Sequence, residues 1–456
     1  MSRNVSIAQR MNIKTLVWPI FVEQLMRMSL MSIDVFMLTQ YSQAAVAAVG
    51  LTGHFIFFLI LSYSIVSSGG AVLIGQHLGA NKPQQAQEYS QNSLLMSLVI
   101  SIIIGLAFYL GSPAFIHAFD LAPDVEKFAI QYSVILGGLS IGMSFSIMFS
   151  SILRAYGYTK SPMVIQVIAG LINLAGNYFA LYPPFDLPQT GVVGVAIATV
   201  TSQIISALMY WYVIKHHKIP LSFKAIFKPD LIKLKKILKI GLPNAGESIS
   251  YNLAQITIMF FVAQLGTVAL AAAAIVQTAA RFMFVFSLSL GNGAQILSSF
   301  YVGQGRFAEL KSSVHKYWML GVAVSVAVTL VMIVARDPIA AVFSNDYQTQ
   351  QLIALMLIVS LFLESGRAIN LIVIAALKGA GDVVFPVKIG VLAMWGIGVL
   401  FAYLFGIYWA WGLVGIWIAI GLDEWARGII MIARWHGEKW TNKAELERFT
   451  GKEALL

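Results

Sequence analysis

The chain contains no cysteine, which removes disulfides, thiolate nucleophiles and thiolate metal sites together. Charge is also scarce. Only 11% of its 456 residues are charged, where a soluble domain carries roughly 25%. A surface so poor in charge cannot face water on all sides. No Gly-rich phosphate loop ending in Gly-Lys-Ser/Thr occurs, which argues against ATP drive within this chain. There is no His-Glu-x-x-His run, and the seven histidines do not cluster at metal spacing. No Gly-x-Ser-x-Gly elbow is expected, nor a voltage sensor with regularly spaced arginines. The chain is therefore not read as an enzyme, and no cofactor is expected.

What is present is apolar length. Hydrophobic residues make up 58% of the chain, and the mean hydropathy is +0.79. Runs such as 94–110, 192–213 and 387–418 carry almost no charge. A helix needs about 20 mostly apolar residues to cross a hydrocarbon core of roughly 30 Å. The runs do not alternate, which excludes a barrel and leaves helices as the spanning element. Twelve spans are expected near 13–39, 46–73, 91–112, 128–153, 162–182, 190–214, 237–263, 268–297, 317–335, 351–377, 385–407 and 409–433. The first apolar run follows a polar, basic segment and lacks a small-residue cleavage site, so it reads as a retained helix. The fold class is an all-α polytopic membrane protein.

The net charge of +10 is distributed by side rather than gathered into a patch. Arg3, Arg10, Lys14, Lys82, Arg154, Lys160, the lysines between 215 and 239, Arg306, Lys311, Lys316, Lys378 and Lys388 fall on one side. Lys127 and Arg336 alone fall on the other. The positive-inside rule then puts both termini and the 215–239 connector in the cytoplasm. Nucleic acid is not expected as a partner; the bilayer is.

The connector divides the chain nearly in half, and the halves repeat. Pro19 matches Pro243, Glu23 matches Glu247, Gln40 matches Gln264 and Pro162 matches Pro386, each 224 positions apart. Leu153-Arg-Ala-Tyr-Gly157 matches Leu377-Lys-Gly-Ala-Gly381 at the same offset. The expected lobes are residues 1–222 and 223–456, two pseudo-symmetric bundles of six helices. An even number of helices per repeat gives both halves one orientation, the arrangement of a transporter that alternates access between its halves.

An ionisable residue inside a span costs about 2.5–3.5 kcal/mol on insertion scales and needs a reason. Helix 1 carries Glu23, Arg27 and Asp34 on one face. Glu23 and Arg27 read as a structural pair. Asp34 lies a further 10 Å or so along the helix, and its repeat counterpart is Ile258, which favours a functional role. Asn173 and Asn177 share a face of helix 5, where they either bond neighbouring helices or bind an ion. Counted at about 1.5 Å per residue, Asp34, both asparagines and Thr199 fall at one depth. A carboxylate, amide oxygens and a hydroxyl suit a hard cation or a proton. No other metal site is expected beyond Na⁺ at Asp34. In the second half, Glu364 with Arg367 and Asp423 with Arg427 have the spacing of internal salt bridges, as scaffold or as substrate contacts. Glu247 has Tyr251 where Glu23 has an arginine, and so reads as the less obviously paired acid.

These residues resemble the multidrug and toxic compound extrusion (MATE) transporters over about residues 13–435. The resemblance rests on Pro19 with Asp34, on Gly75-Gln76-His-Leu-Gly79, and on Leu153–Gly157 with Asn173 and Asn177. It extends through Ala198-Thr199, Pro243, Gly303-Gln304 and Leu377–Asp382. It implies a transporter of two six-helix bundles in a cytoplasmic membrane, exchanging Na⁺ or H⁺ for amphipathic organic cations and working as a monomer. It also implies a cation or proton site at Asp34, Asn173, Asn177 and Thr199, with Glu247 and Glu364 as second-half acids. Asn177 stands where some members have Asp. The alternative is a lipid or lipid-linked saccharide flippase of the same superfamily.

Overall fold

Lys82 and Ala122 each precede a proline that opens a helix, where its missing N–H and fixed φ cost nothing. From such punctuation the chain folds entirely into helices, with no strand among the described residues. The computed structural model describes residues 7–183, 189–221, 229–442 and 444, the side chains of residues 31, 32 and 35 excepted. The expected lobe boundary at 222/223 and the basic residues Arg3, Lys224 and Lys228 lie outside the described residues.

The first half comprises α1 (Ile7–Arg10), α2 (Ile13–Tyr41), α3 (Gln43–Gly79), α4 (Pro83–His117), α5 (Pro123–Gly138), α6 (Ile141–Ala155), α7 (Lys160–Leu181) and α8 (Gly191–His216). The second comprises α9 (Leu231–Gln264), α10 (Thr267–Gln304), α11 (Phe307–Val334), α12 (Arg336–Phe343), α13 (Tyr347–Gly379), α14 (Val384–Tyr408) and α15 (Gly412–His436). Eight of these helices are long and apolar enough to cross a bilayer, and the pair α5–α6 makes a ninth. The three remaining long helices, α2, α9 and α15, carry Glu23, Arg27 and Asp34; Glu247; and Asp423, Glu424 and Arg427. Twelve spans result among the described residues, six in each half. The chain is an all-α polytopic membrane protein. Its outer faces show the lipid-facing pattern: Leu110, Leu208 and Val331 are 72%, 64% and 67% exposed.

One span differs from expectation. The single helix expected over 128–153 is two helices bent by 48°. Gly137 lies so close to the Phe108 ring that a Cβ there would sit 2.3 Å from a ring carbon. Ser140, at the bend, bonds the Tyr63 hydroxyl at 2.6 Å. Contrary to expectation, this bend contains a Gly-x-Ser-x-Gly run, Gly138-Leu-Ser140-Ile-Gly142. It joins two helices rather than a strand and a helix, and its serine is buried, so it is no nucleophile elbow.

The repeat is visible in the backbone. Two residues beyond α6 stands Gly157 at φ +82°, and two residues beyond α13 stands Gly381 at φ +94°. Tyr158 N–H bonds the Leu153 carbonyl at 2.9 Å, and Asp382 N–H bonds the Leu377 carbonyl at 3.0 Å. Both turns are thus the same left-handed helix stop, which glycine enters without strain. In the loop before α13, Asp346 caps the helix by accepting from Thr349 N–H at 2.9 Å and from the Thr349 hydroxyl. These two bonds hold its carboxyl below the usual carboxylate range.

The chain divides into two compact units. The first contains Trp18–Leu78 and Lys82–Ala245 with the residues up to Met11; the second contains Asn12–Val17, Gly79–Asn81 and the chain from Gly246. The first turns of α9 therefore belong with the first unit, and those of α2 with the second. In the first unit, Met37, Leu38, Tyr132, Leu181, Val192 and Val195 form one core cluster around the ends of α2, α7 and α8. In the second, α13 is the central helix, packed against α10, α11 and α15.

Candidate functional site

The first unit brings Asp34, Asn173, Asn177 and Thr199 together. Close approach of α7 and α8 makes this feasible: a Cβ on Gly176 would lie 2.6 Å from the Ala198 Cβ. Small residues at a helix contact let side chains on either side of it reach across. Asn173 Nδ2 donates to Thr199 Oγ1 at 3.0 Å. Asn177 Nδ2 donates to Asp34 Oδ1 at 3.0 Å and to Asn173 Oδ1 at 3.4 Å. The Thr199 hydroxyl in turn donates to the Val195 carbonyl at 3.0 Å. Buried Tyr132, on α5, interacts with Thr199 and lies within electrostatic range of Asp34.

The direction of these bonds is informative. Asn177 spends both amide hydrogens on Asp34 and Asn173, and Thr199 spends its proton on the backbone. What remains beside Asp34 is the Asn177 acceptor. Asn177 Oδ1 is buried and has no hydrogen-bond partner, and no cation pairs with Asp34 among the described residues. A buried acceptor left unmatched costs about 1–3 kcal/mol. A cation or a proton placed beside Asp34 and Asn177 would satisfy both. Among the described residues no group of three or more His, Asp or Glu suited to a metal ion occurs, so a divalent cage is not built here.

The second unit holds a larger charged cluster. Glu364 accepts from Arg367 at 2.6 Å, and Arg367 also reaches Glu424 at 3.3 Å. Arg427 bonds Asp423 at 2.5 and 3.0 Å and approaches Glu424 at 3.3 Å. Asn370 Nδ2 donates to Glu424 Oε2 at 2.7 Å. The Phe284 ring lies 5.0 Å from the Arg367 guanidinium. Three carboxylates face two guanidiniums, so the fully ionised cluster keeps one negative charge. Here too the unmatched buried atoms are acceptors, Glu364 Oε2 and Asn370 Oδ1. A small cavity beside Asp423, Glu424 and Arg427 is closed in part by Tyr251 and by Gly398, within a π-helical segment of α14.

Comparison with known proteins gives the family. A family model described as MatE matches residues 19–179 and 243–404. The two matched segments start 224 positions apart, the offset of the repeat. The chain belongs to the MatE family. It is similar to a Bacillus subtilis protein named "Uncharacterized transporter YisQ", at 35% identity over 432 residues and 94% of each chain. It is also similar to a Thermotoga maritima protein named "Probable multidrug resistance protein NorM", at 26% identity over 439 residues, 95% of this chain and 94% of that one. One solved structure is described as the outward-facing conformation of a multidrug resistance MATE family transporter of the MOP superfamily. It superposes with a TM-score of 0.89 over 97% of this chain and 99% of that chain. At 18% identity that likeness speaks to the fold.

In this MatE chain two expected groupings change. Arg27 does reach Glu23, at 3.3 Å, but Arg154 on α6 holds both oxygens of Glu23 at 2.6 and 2.7 Å. Glu23 therefore belongs chiefly to a helix–helix pair, with half-exposed Arg27 at its edge. Glu247 is not an unpaired acid: Lys378 donates to it at 2.5 Å. It stands apart from the Glu364–Arg367–Glu424 cluster. Arg154 and Lys378 were legible only as topological charges, although each lies 131 residues beyond its glutamate in both repeats. Glu424 was legible as a charge inside the last span but not as the partner of Arg367, while Asn370 and Tyr132 carried no sequence signal beyond being polar.

Proposed function

We propose that this MatE chain is a cation-coupled antiporter that expels amphipathic organic cations from the cell in exchange for Na⁺ or H⁺. The observation that carries this reading is the Asp34–Asn177–Asn173–Thr199 chain, in which Asn177 spends both amide hydrogens and leaves its buried oxygen unmatched beside one carboxylate. Such a site takes up one positive charge and can release it. Coupling requires that ion and substrate favour different conformations; a ligand with equal affinity for both shifts nothing. Occupation of Asp34 by the incoming ion lowers affinity for the outgoing cation, and ion release on the other side resets it. The protein resides in the cytoplasmic membrane with both termini inside, and acts as a monomer. Paired arginines support export of cations over a flippase: Arg154, Arg367 and Arg427 each face a carboxylate rather than lying open to an anionic headgroup.

The test is efflux of a fluorescent organic cation from proteoliposomes under an imposed Na⁺ or pH gradient. Movement that follows one gradient supports antiport and names the ion. Movement indifferent to both, with lipid scrambling in the same vesicles, would put the flippase reading in its place.

A further inference from the structure

α9 is too long for the bilayer it crosses. Its 34 residues extend about 51 Å, against a hydrocarbon core of roughly 30 Å. Its first turns, with Lys233, Lys235, Lys236 and Lys239, therefore stand in the headgroup layer. The inner face of these turns is fixed by close packing. A Cβ on Gly69 would meet the Ile237 carbonyl oxygen at 2.2 Å, and one on Gly241 would meet the Ile65 carbonyl oxygen at 2.0 Å. Ile237 is fully buried. On the opposite face, within an arc of about 100°, lie Leu231, Lys235, Lys239, Leu242 and Ile232, all exposed. Leu231, Ile232 and Leu242 are 78%, 71% and 53% exposed. Neither water nor hydrocarbon suits a face that presents both leucines and lysines. The membrane interface suits it, with the lysine stems along the acyl boundary and the ammonium groups at the phosphates.

The charge around it is one-sided. Lys233 is held by Glu88 at 3.2 Å and by Asp230. Lys82, Lys233 and Lys236 all interact electrostatically with His77. Lys235 and Lys239 are exposed on the same helix, so that among the described residues named here five lysines accompany the two acids Glu88 and Asp230. We propose that the outer face of α9 from Leu231 to Leu242 is a binding surface for anionic phospholipid headgroups, with Lys235 and Lys239 at the phosphates and Leu231, Ile232 and Leu242 among the acyl chains. The surface is independent of the Asp34 site and of the ion that drives transport. Each lysine near an anionic surface strengthens binding by about fivefold.

The test uses the purified full chain carrying Ile232→Trp, with tryptophan quenching by brominated phosphatidylglycerol or brominated phosphatidylcholine. The parent without Ile232→Trp supplies the background. Brominated phosphatidylglycerol should quench at about 25-fold lower concentration than phosphatidylcholine. That preference should fall about fivefold for each lysine replaced in Lys235→Gln and Lys239→Gln. It should return in Lys235→Arg with Lys239→Arg, and persist in Lys127→Gln, a change at the distant end of the first unit. Equal quenching by the two lipids overturns the proposal, as does a preference unchanged in the double glutamine variant. Full displacement of the lipid by inorganic phosphate would mean a free-anion site, and would overturn it equally.

Discussion

Arg154 donates to both carboxylate oxygens of Glu23, at 2.6 and 2.7 Å, across 131 residues of chain. Lys378 and Glu247, each 224 positions further on, make the same pair at 2.5 Å. In both repeats the pair ties the first helix to the helix that stops just before the left-handed glycine, Gly157 or Gly381. The glycine stop fixes where the basic residue emerges, and the acid four residues after the proline meets it there.

Glu23 is 3% exposed, so removing its main partner leaves a buried charge uncompensated. Arg154→Ala should lower stability by about 3 kcal/mol or more. Arg27→Ala, which removes a half-exposed arginine at 3.3 Å, should cost less than about 1 kcal/mol. Thermal unfolding in detergent compares them. Equal losses would mean that Arg154 is no more the working partner of Glu23 than Arg27 is.

The α7–α8 contact sets the reach from Asn173 to Thr199. Gly176→Val puts branched carbon where the Ala198 Cβ already stands 2.6 Å from a Cβ position. Overpacking of this kind costs about 1–3 kcal/mol. We expect a moderate drop in melting temperature with a larger loss of ion-driven transport. Ala198→Gly in the same chain should restore part of both. A transport rate untouched by Gly176→Val would separate the contact from the site.

Thr199 contributes an acceptor to Asn173 and gives its proton to Val195. Thr199→Val keeps the shape and deletes the hydroxyl, at a cost of about 1 kcal/mol for one net hydrogen bond. The half-saturating ion concentration should rise about fivefold while the maximal rate changes little. A fall in maximal rate at unchanged ion affinity would place Thr199 outside the ion site.

Glu424 touches Arg367, Arg427 and Asn370, whereas one oxygen of Glu364 has no partner. Glu424→Gln should therefore destabilise by about 3–5 kcal/mol, and Glu364→Gln by clearly less. The reverse order, read from thermal unfolding, would contradict the centrality of Glu424.

Much of this was legible in the sequence, for identifiable reasons. Apolar runs have to become helices in lipid, and an offset of 224 shared by Pro19, Glu23, Pro162 and their counterparts has to become a structural repeat. Asp34, Asn173, Asn177 and Thr199 could be grouped because helical rise converts residue number into depth. Rotation is what residue number does not supply. Spacing along one helix suggested Arg27 for Glu23, while the structure turns Arg154 onto it from another helix. Tyr132, and the reach of Glu424 to Arg367, were hidden for the same reason. The α5–α6 bend depends on a Phe108 ring pressing on Gly137, a contact between helices that no local pattern records.

The most direct test of the account is gradient-driven accumulation of an organic cation in proteoliposomes, measured side by side for the parent chain and Asp34→Asn. Asp34→Asn keeps the shape and the bond to Asn177 but removes the charge that an incoming ion must neutralise. The account expects the variant still to bind and exchange substrate, and to lose accumulation against a gradient. Full accumulation by Asp34→Asn would contradict it.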